Sequence, residues 1–404
     1  MILNTFFMVK DRPALFYTLA LATGVLLYAR WPFLAGVLDL LTVAVATVLV
    51  VAAILLVRPK GRYTNGLLML SIAIVGILCG IMITAVNGRE EEHNEPGWKN
   101  NIEAGAAAVR GKVIDVFRTN GVDGDELAVI SAMSLGEKQM LGRHLRSDYS
   151  KAGVAHILAL SGTHLAIIYF VLTVIFGGHR VVSRFAIVGS VWCYVVIVGM
   201  PVSAVRAAVM LSMFTLAGVM RRGYDRMDVL VFTVFVMLLL NPLVLFDVGF
   251  QLSVMSVGGI LVICPLLNGL LPTSFIRRHH RIMKLWNMMT VSVSAQVATA
   301  PLVAYYFGSL PCWFVLSNFV AIPLATLLLY GTLAVVALWP VAVLQTLAVK
   351  AVEMVAWTLN YISGMLAELP LASIEGLSPN VLQVAFSYIL IALALRIIKY
   401  LQVI

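Results

Sequence analysis

The chain has 404 residues, of which 61% are hydrophobic and only 12% charged, with a net charge of +9 and a mean hydropathy of +0.98. No soluble domain of this size hides so much apolar surface, so a soluble globular fold is excluded. The apolar runs are continuous rather than alternating, which excludes a membrane β-barrel and leaves an all-α fold: a polytopic membrane protein with about 11–12 transmembrane helices and short interfacial helices.

In chain order, Pro13 to Trp31 and Phe33 to Val57 read as the first two spans, joined by a tight Arg-Trp-Pro turn. Arg58, Lys60 and Arg62 form a basic loop, and Gly66 to Val86 is the third span. No small-residue cleavage site follows Lys10 and Arg12, so the first helix is expected to be retained. The positive-inside rule places these basic residues in the cytoplasm and the segment after Val86 outside. Residues 87 to 151 are the one sizeable polar stretch: nine basic against eleven acidic residues, net −2, leaving +11 for the rest of the chain. Within it, Trp98 to Phe117 carries Ile102, Ala106, Val109, Val113, Val116 and Phe117 at helical spacing, and Asn120-Gly121 stops that helix. Asp125 is placed to cap a second short helix, and a third follows with Lys138, Arg143, His144, Arg146 and Lys151. These helices are expected at the outer membrane–water interface. The basic cluster Lys138, Arg143, Arg146 and Lys151 serves there either as headgroup contact or as a collar at a channel mouth.

From His156 the spans are closely spaced: His156 to Phe176, Phe185 to Met200, Pro201 to Met220, Asp228 to Phe246, Val248 to Leu271, Asn287 to Phe307 and Trp313 to Leu338. The basic clusters at 180–184, 221–226 and 277–284 fall on the inside in alternation. His279-His280 reads as an interfacial anchor among arginines. Pro340 to Leu369 contains Lys350, Glu353, Asn360, Ser363 and Glu368, so it either crosses or lies along the surface, giving twelve or eleven spans. Arg396 and Lys399 in the last span, Val381 to Leu401, favour twelve. The four cysteines lie in apolar runs without metal spacing and read as small hydrophobes; no cofactor or metal site is expected.

Polar groups inside bilayer segments are expensive and mark function by default. Four constellations stand out. The first, in KAGVAHILALSGTHLAII, holds His156, Ser161, Gly162 and His164, and its Ser-Gly pair is expected to loosen or kink the helix. The second, GMPVSAVRAA from Gly199, places Arg206 inside a span, where it must face a carboxylate, water or a polyanion. The third, NPLVLFDVGFQLS, holds Asn241, Asp247 and Gln251, with Asp247 a candidate ion-pair partner for Arg206. The fourth, from Ser292 to Pro323, holds Gln296, Thr299, Pro301 and Asn318. Glycine and proline there imply broken helices, tolerated where they face protein or a watery cavity. Tyr305, Tyr306, Phe307 and Trp313 read as aromatic-belt anchors or as base-stacking groups.

All four constellations, in order over roughly residues 125 to 340, resemble the ComEC family of bacterial competence proteins, and AHILALSGTHLAII looks like its signature. The resemblance implies a multi-pass channel of the bacterial inner membrane that passes single-stranded DNA into the cytoplasm during natural transformation. The implied partners are single-stranded DNA, membrane lipids, a periplasmic DNA receptor, a separate nuclease and a cytoplasmic DNA translocase. On this reading 1–86 is an N-terminal transmembrane region, 87–151 an extracytoplasmic helical segment and 152–404 a competence-type channel domain. Full-length family members insert an OB-fold in the first external segment and add a metallo-β-lactamase-like nuclease domain after the last span; that domain is thought to face outward, so the resemblance favours eleven spans where the charges favour twelve. Here residues 87 to 151 are too short and too helical for the former, and no HxHxDH metal motif occurs, so a short form without nuclease activity is expected. Two alternatives stay open. One is a permease for a small anionic solute. The other is an intramembrane hydrolase with Ser161 as nucleophile, His164 as base and Asp247 orienting it.

Overall fold

The computed structural model describes residues 13–31, 73–85, 97–177, 180–219, 225–271 and 280–402. The expected second span, the basic loop at 58–62, the acidic run at 90–92, His279 and most of the basic loop at 221–226 lie outside them. The chain divides into two compact units: Met1–Pro96 with Leu216–Val254, and Gly97–Thr215 with Met255–Ile404. This division cuts across the sequential one, since the polar stretch after residue 96 groups with the later spans.

In the first unit, α1 (Pro13–Arg30) packs against α10 (Arg226–Leu240), and Thr18 Oγ1 donates to the Val231 carbonyl at 3.4 Å. α1 also lies tightly on α2 (Ala73–Ala85) through small residues. A Cβ on Gly24 would strike the Ile77 carbonyl, and one on Gly80 would strike that of Leu21. Gly76 and Gly80 therefore let two backbones approach where bulk would hold them apart. After α10, Asn241-Pro242 ends the helix and starts a single 3₁₀ turn, Pro242–Phe246, before α11 (Val248–Asn268).

The second unit contains α3 (Gly97–Thr119), α4 (Gly124–Leu135), α5 (Arg143–Lys151), α6 (Ala155–Leu158), α7 (Gly162–Phe176), α8 (Val181–Ile197) and most of α9 (Val202–Val219). It continues with α12 (His280–Phe307), β1 (Ser309–Pro311), α13 (Phe314–Ala337), α14 (Ala342–Ala367), β2 (Ser373–Glu375) and α15 (Val381–Leu401). Five helices among the described residues are long and apolar enough to cross a membrane: α11, α12 from Ile282, α13, α14 and α15. Four more are apolar but shorter, among them α7 and α8. The protein is thus an all-α multi-pass membrane protein.

α13 and α14 form an antiparallel hairpin so close that a Cβ on Gly331 would strike Val352. Around it lies the main core, and this corrects one expectation. α4 is not an interfacial helix: Leu127 through Leu135 are all buried, and Ser134 Oγ donates to Thr332 Oγ1 at 3.1 Å. Past its first turn it is buried on every side. α3 and α5 keep exposed polar faces. On α3 the buried residues are Ala106, Ile114 and Phe117, whereas Ile102 and Val109 are exposed. Gly121 does stop α3, at φ +80°, but the N-cap of α4 is Asp123, and Asp125 sits inside the first turn.

β1 pairs antiparallel with β2, Leu310 opposite Ile374. This small ribbon bears on the uncertain segment. It joins the loop before α13 to the loop after α14, so the two loops lie on one side. If α13 crosses, α14 must cross back. At 26 residues α14 spans about 39 Å, enough for about 30 Å of hydrocarbon. In a variant without native cysteines, Ile374→Cys should therefore label from the periplasm, and Val341→Cys and Gln402→Cys from the cytoplasm. Labelling of positions 341 and 374 from one side would show that α14 lies flat.

Candidate functional site: a broken helix beside a buried arginine

The stretch expected to form one kinked span from His156 is two helices with a true break. α5 ends at Lys151, and the chain turns at Gly153, whose φ of +78° any other residue would resist. A Cβ there would lie 2.9 Å from Pro311 and 3.1 Å from Phe314. α6 then makes one turn, Ala159 is extended, and Ser161 takes the N-cap of α7 with φ −111° and ψ 168°. The Ser161 N–H donates to His164 Nδ1 at 3.2 Å, and Ser161 Oγ lies 2.9 Å from the same nitrogen. Because Nδ1 accepts the backbone proton, a neutral His164 carries its own proton on Nε2. His164 is 3% exposed, and that Nε2 has no partner among the described residues. His156 is exposed and lies near enough to His164 to interact with it electrostatically.

The second constellation meets this break. Ser203 Oγ donates to the Leu160 carbonyl, and a Cβ on Gly162 would sit 3.7 Å from that of Ala207. Arg206 is 4% exposed and lies one turn after Ser203 on α9. The start of α7 thus faces the stretch of α9 that bears the arginine. The α8–α9 turn feeding it is left-handed at two successive residues, Gly199 at φ +84° and Met200 at φ +51°.

The third constellation belongs to the other unit, where its polar groups shape the backbone. Asn241 Oδ1 accepts the Leu243 N–H at 2.9 Å, Asp247 Oδ1 accepts the Phe250 N–H at 2.6 Å, and Gln251 Nε2 donates to the Leu245 carbonyl at 2.9 Å. Asp247 is an exposed helix cap. In the fourth, Asn318 Nδ2 donates to Ser292 Oγ at 3.3 Å, tying α13 to α12, and Gln296 lies half-buried one turn beyond Ser292. α13 also meets α6 and α7, so this pair stands on a neighbour of the break.

The basic cluster is exposed on and just before α5. Arg146 donates to the Lys138 carbonyl at 2.6 Å, Lys151 lies 3.6 Å from Glu375 on β2, and Arg143 opens the helix. Tyr149 anchors α5 from the other face, donating to Asn360 Oδ1 at 2.8 Å. Burial pushes its phenol above the usual range, with Asp125 and Glu126 adding to the shift, so it remains a neutral donor. At the ribbon end, Tyr305 and Tyr306 meet edge to face at 5.0 Å, and Trp313 Nε1 donates to the Pro370 carbonyl at 3.1 Å.

Ser161 and His164 have the separation of a nucleophile and base, but the nitrogen that would take the hydroxyl proton already caps the backbone. The pair terminates a helix. No group of three or more His, Cys, Asp or Glu among the described residues is gathered as a metal site. Sequence reading missed Arg110, whose guanidinium donates to the Ile197 carbonyl at 2.7 Å and lies 3.6 Å from Glu137. Its signal was there: Arg110 stands midway between Ala106 and Ile114 on the buried face of α3.

Fold and site together define a multi-pass helical membrane protein with a polar break in one helix packed against a second helix that carries a buried arginine. The chain belongs to the Competence protein family, which matches residues 133–400. It is 26% identical over 218 residues to ComE operon protein 3 of Bacillus subtilis, covering 53% of this chain and 27% of that protein. It is 25% identical over 216 residues to Recombination protein 2 of Haemophilus influenzae, covering 50% of this chain and 27% of the relative. The matched stretch thus spans just over a quarter of either relative. No solved structure matches the chain.

Proposed function

We propose that this chain forms an inner-membrane channel that carries single-stranded DNA into the cytoplasm during natural transformation. The observation that most supports this reading is Arg206. Its guanidinium keeps its charge at any physiological pH, and it stands 4% exposed on an apolar helix that packs against the broken end of α7. A polyanion with one charge per phosphate matches such a group, and membership of a competence family points to DNA as that polyanion. The exposed Lys138, Arg143, Arg146 and Lys151 then gather DNA at the outer mouth, and a periplasmic receptor, a separate nuclease and a cytoplasmic translocase act around the channel. In a strain lacking the protein, labelled DNA should fail to reach the nuclease-protected cytoplasmic pool, and this chain should restore it. Restored uptake of a small labelled anion without DNA would favour a permease.

On the same reading the channel does not cut its cargo. The purified protein should leave single- and double-stranded DNA intact with magnesium, manganese or zinc. Metal-dependent cleavage by a homogeneous preparation, lost on mutating His156 or His164, would overturn this.

A further inference from the structure

We infer that Arg110 is the positioning residue that sets the polar break of α7 against the Ser203–Ala207 face of α9. It lies before the stretch that matches the family, on an otherwise amphipathic helix, yet its side chain is only 14% exposed. Nη1 donates to the Ile197 carbonyl at 2.7 Å, at the C-terminal end of α8, where a cation also meets the negative end of the helix dipole. A Cβ on Gly199 would lie 3.6 Å from that same nitrogen, so the guanidinium sits under the left-handed pair Gly199-Met200. Such φ values persist for a methionine only where the surroundings impose them. On its other edge, Nε is 3.6 Å from Glu137 Oε2.

Glu137 follows the C-cap of α4, Gly136, where a Cβ would lie 2.9 Å from the Val198 carbonyl and 2.8 Å from Leu160. One guanidinium therefore ties α3 to the end of α4, where Leu160 packs at Gly136, and to the α8–α9 turn. Three residues past that turn Ser203 grips the Leu160 carbonyl, and at Ala207 α9 touches Gly162. The register of α9 on α7, and with it the place of Arg206, follows from a turn that Arg110 holds. The geometry stands by itself; only its consequence for uptake rests on the DNA-channel reading.

The test reads that register directly. A Cβ separation of 3.7 Å between positions 162 and 207 suits a disulfide, and Gly162 has no positive φ to forbid a side chain. In the full-length protein without its four native cysteines, Gly162→Cys/Ala207→Cys should cross-link rapidly in membranes under mild oxidation, scored by mass spectrometry. Adding Arg110→Ala should slow cross-linking about tenfold, the weight of one hydrogen bond from a charged group. If that variant does not reach the membrane, Arg110→Met keeps the bulk and helix preference without the donor and should show the same loss. An unchanged rate in whichever variant inserts would overturn the inference. A slowed rate supports it whether or not DNA is the cargo. Uptake per inserted molecule, measured on Arg110→Ala with native 162 and 207, should fall in parallel if DNA is.

Discussion

Arg206→Ala should sharply reduce DNA uptake while leaving the amount of protein in the membrane unchanged. A hydrogen-bonded phosphate–guanidinium contact in a low-dielectric path contributes about 1.5–3 kcal/mol, so the loss per inserted molecule should be about ten- to a hundredfold. Arg206→Lys should retain part of the activity, because a point charge still attracts phosphate but cannot bind it bidentately. The competing role is charge balance with Asp247, and the two roles give opposite patterns. If Arg206 balances that carboxylate, Arg206→Ala removes its counter-charge, and abundance falls. Asp247→Asn should then restore abundance. That substitution is a clean probe, because the Asp247 carboxylate caps α11 through the Phe250 N–H and asparagine caps about as well. The decisive measurement is uptake divided by membrane abundance for Arg206→Ala, Arg206→Lys and Arg206→Ala/Asp247→Asn. Normal uptake per molecule in Arg206→Ala would rule out the channel role.

Most helices after residue 180 were legible because long apolar runs punctuated by basic loops leave few alternatives, although the one expected over 228–246 ends at Leu240 and gives way to a 3₁₀ turn. α9 and α13, expected at 201–220 and 313–338, fall at Val202–Val219 and Phe314–Ala337. What the sequence hid was tertiary. α4 carries Asp125 and Glu126 in its first turn and looked like a surface helix, yet the rest of it is core, because α13 and α14 enclose it. The Ser161-Gly162 pair announced a kink. That His164 would turn back to cap the broken end depends on a side-chain rotamer that no spacing rule specifies. Asn241, Asp247 and Gln251 were noticed because polar residues are rare in apolar sequence, but rarity does not separate a helix cap from a pore lining. Arg110 was overlooked for the converse reason: in a polar helix a single arginine is unremarkable until its partners are known.

Gly136→Ala should be among the most damaging single-methyl changes in the protein, and its cost has two separable parts. Gly136 closes α4 in the left-handed region at φ +76° and ψ 4°, with its N–H and that of Glu137 returning to the carbonyls of Ala132 and Ser131 at 3.2 Å each. Alanine in that conformation costs about 1 kcal/mol. The new methyl would also lie 2.8 Å from Leu160 Cδ1 and 2.9 Å from the Val198 carbonyl oxygen. Leucine yields by changing rotamer, but the carbonyl belongs to the α8–α9 turn that Arg110 holds and moves only if that turn moves. The combined loss should be about 2–4 kcal/mol, in the range of overpacked cores. Gly121→Ala isolates the first part, since Gly121 has φ +80° and nothing within 4 Å of a Cβ. Thermal unfolding in detergent should therefore show Gly121→Ala slightly below the parent and Gly136→Ala well below it. In membranes the same ordering should hold for abundance. For the Gly136→Ala protein that does insert, displacement of the turn should also slow the 162–207 cross-link. Equal midpoints for the two alanine variants would mean that the α4 end and the α8–α9 turn are not packed together, and the junction that positions Arg206 would lose its foundation.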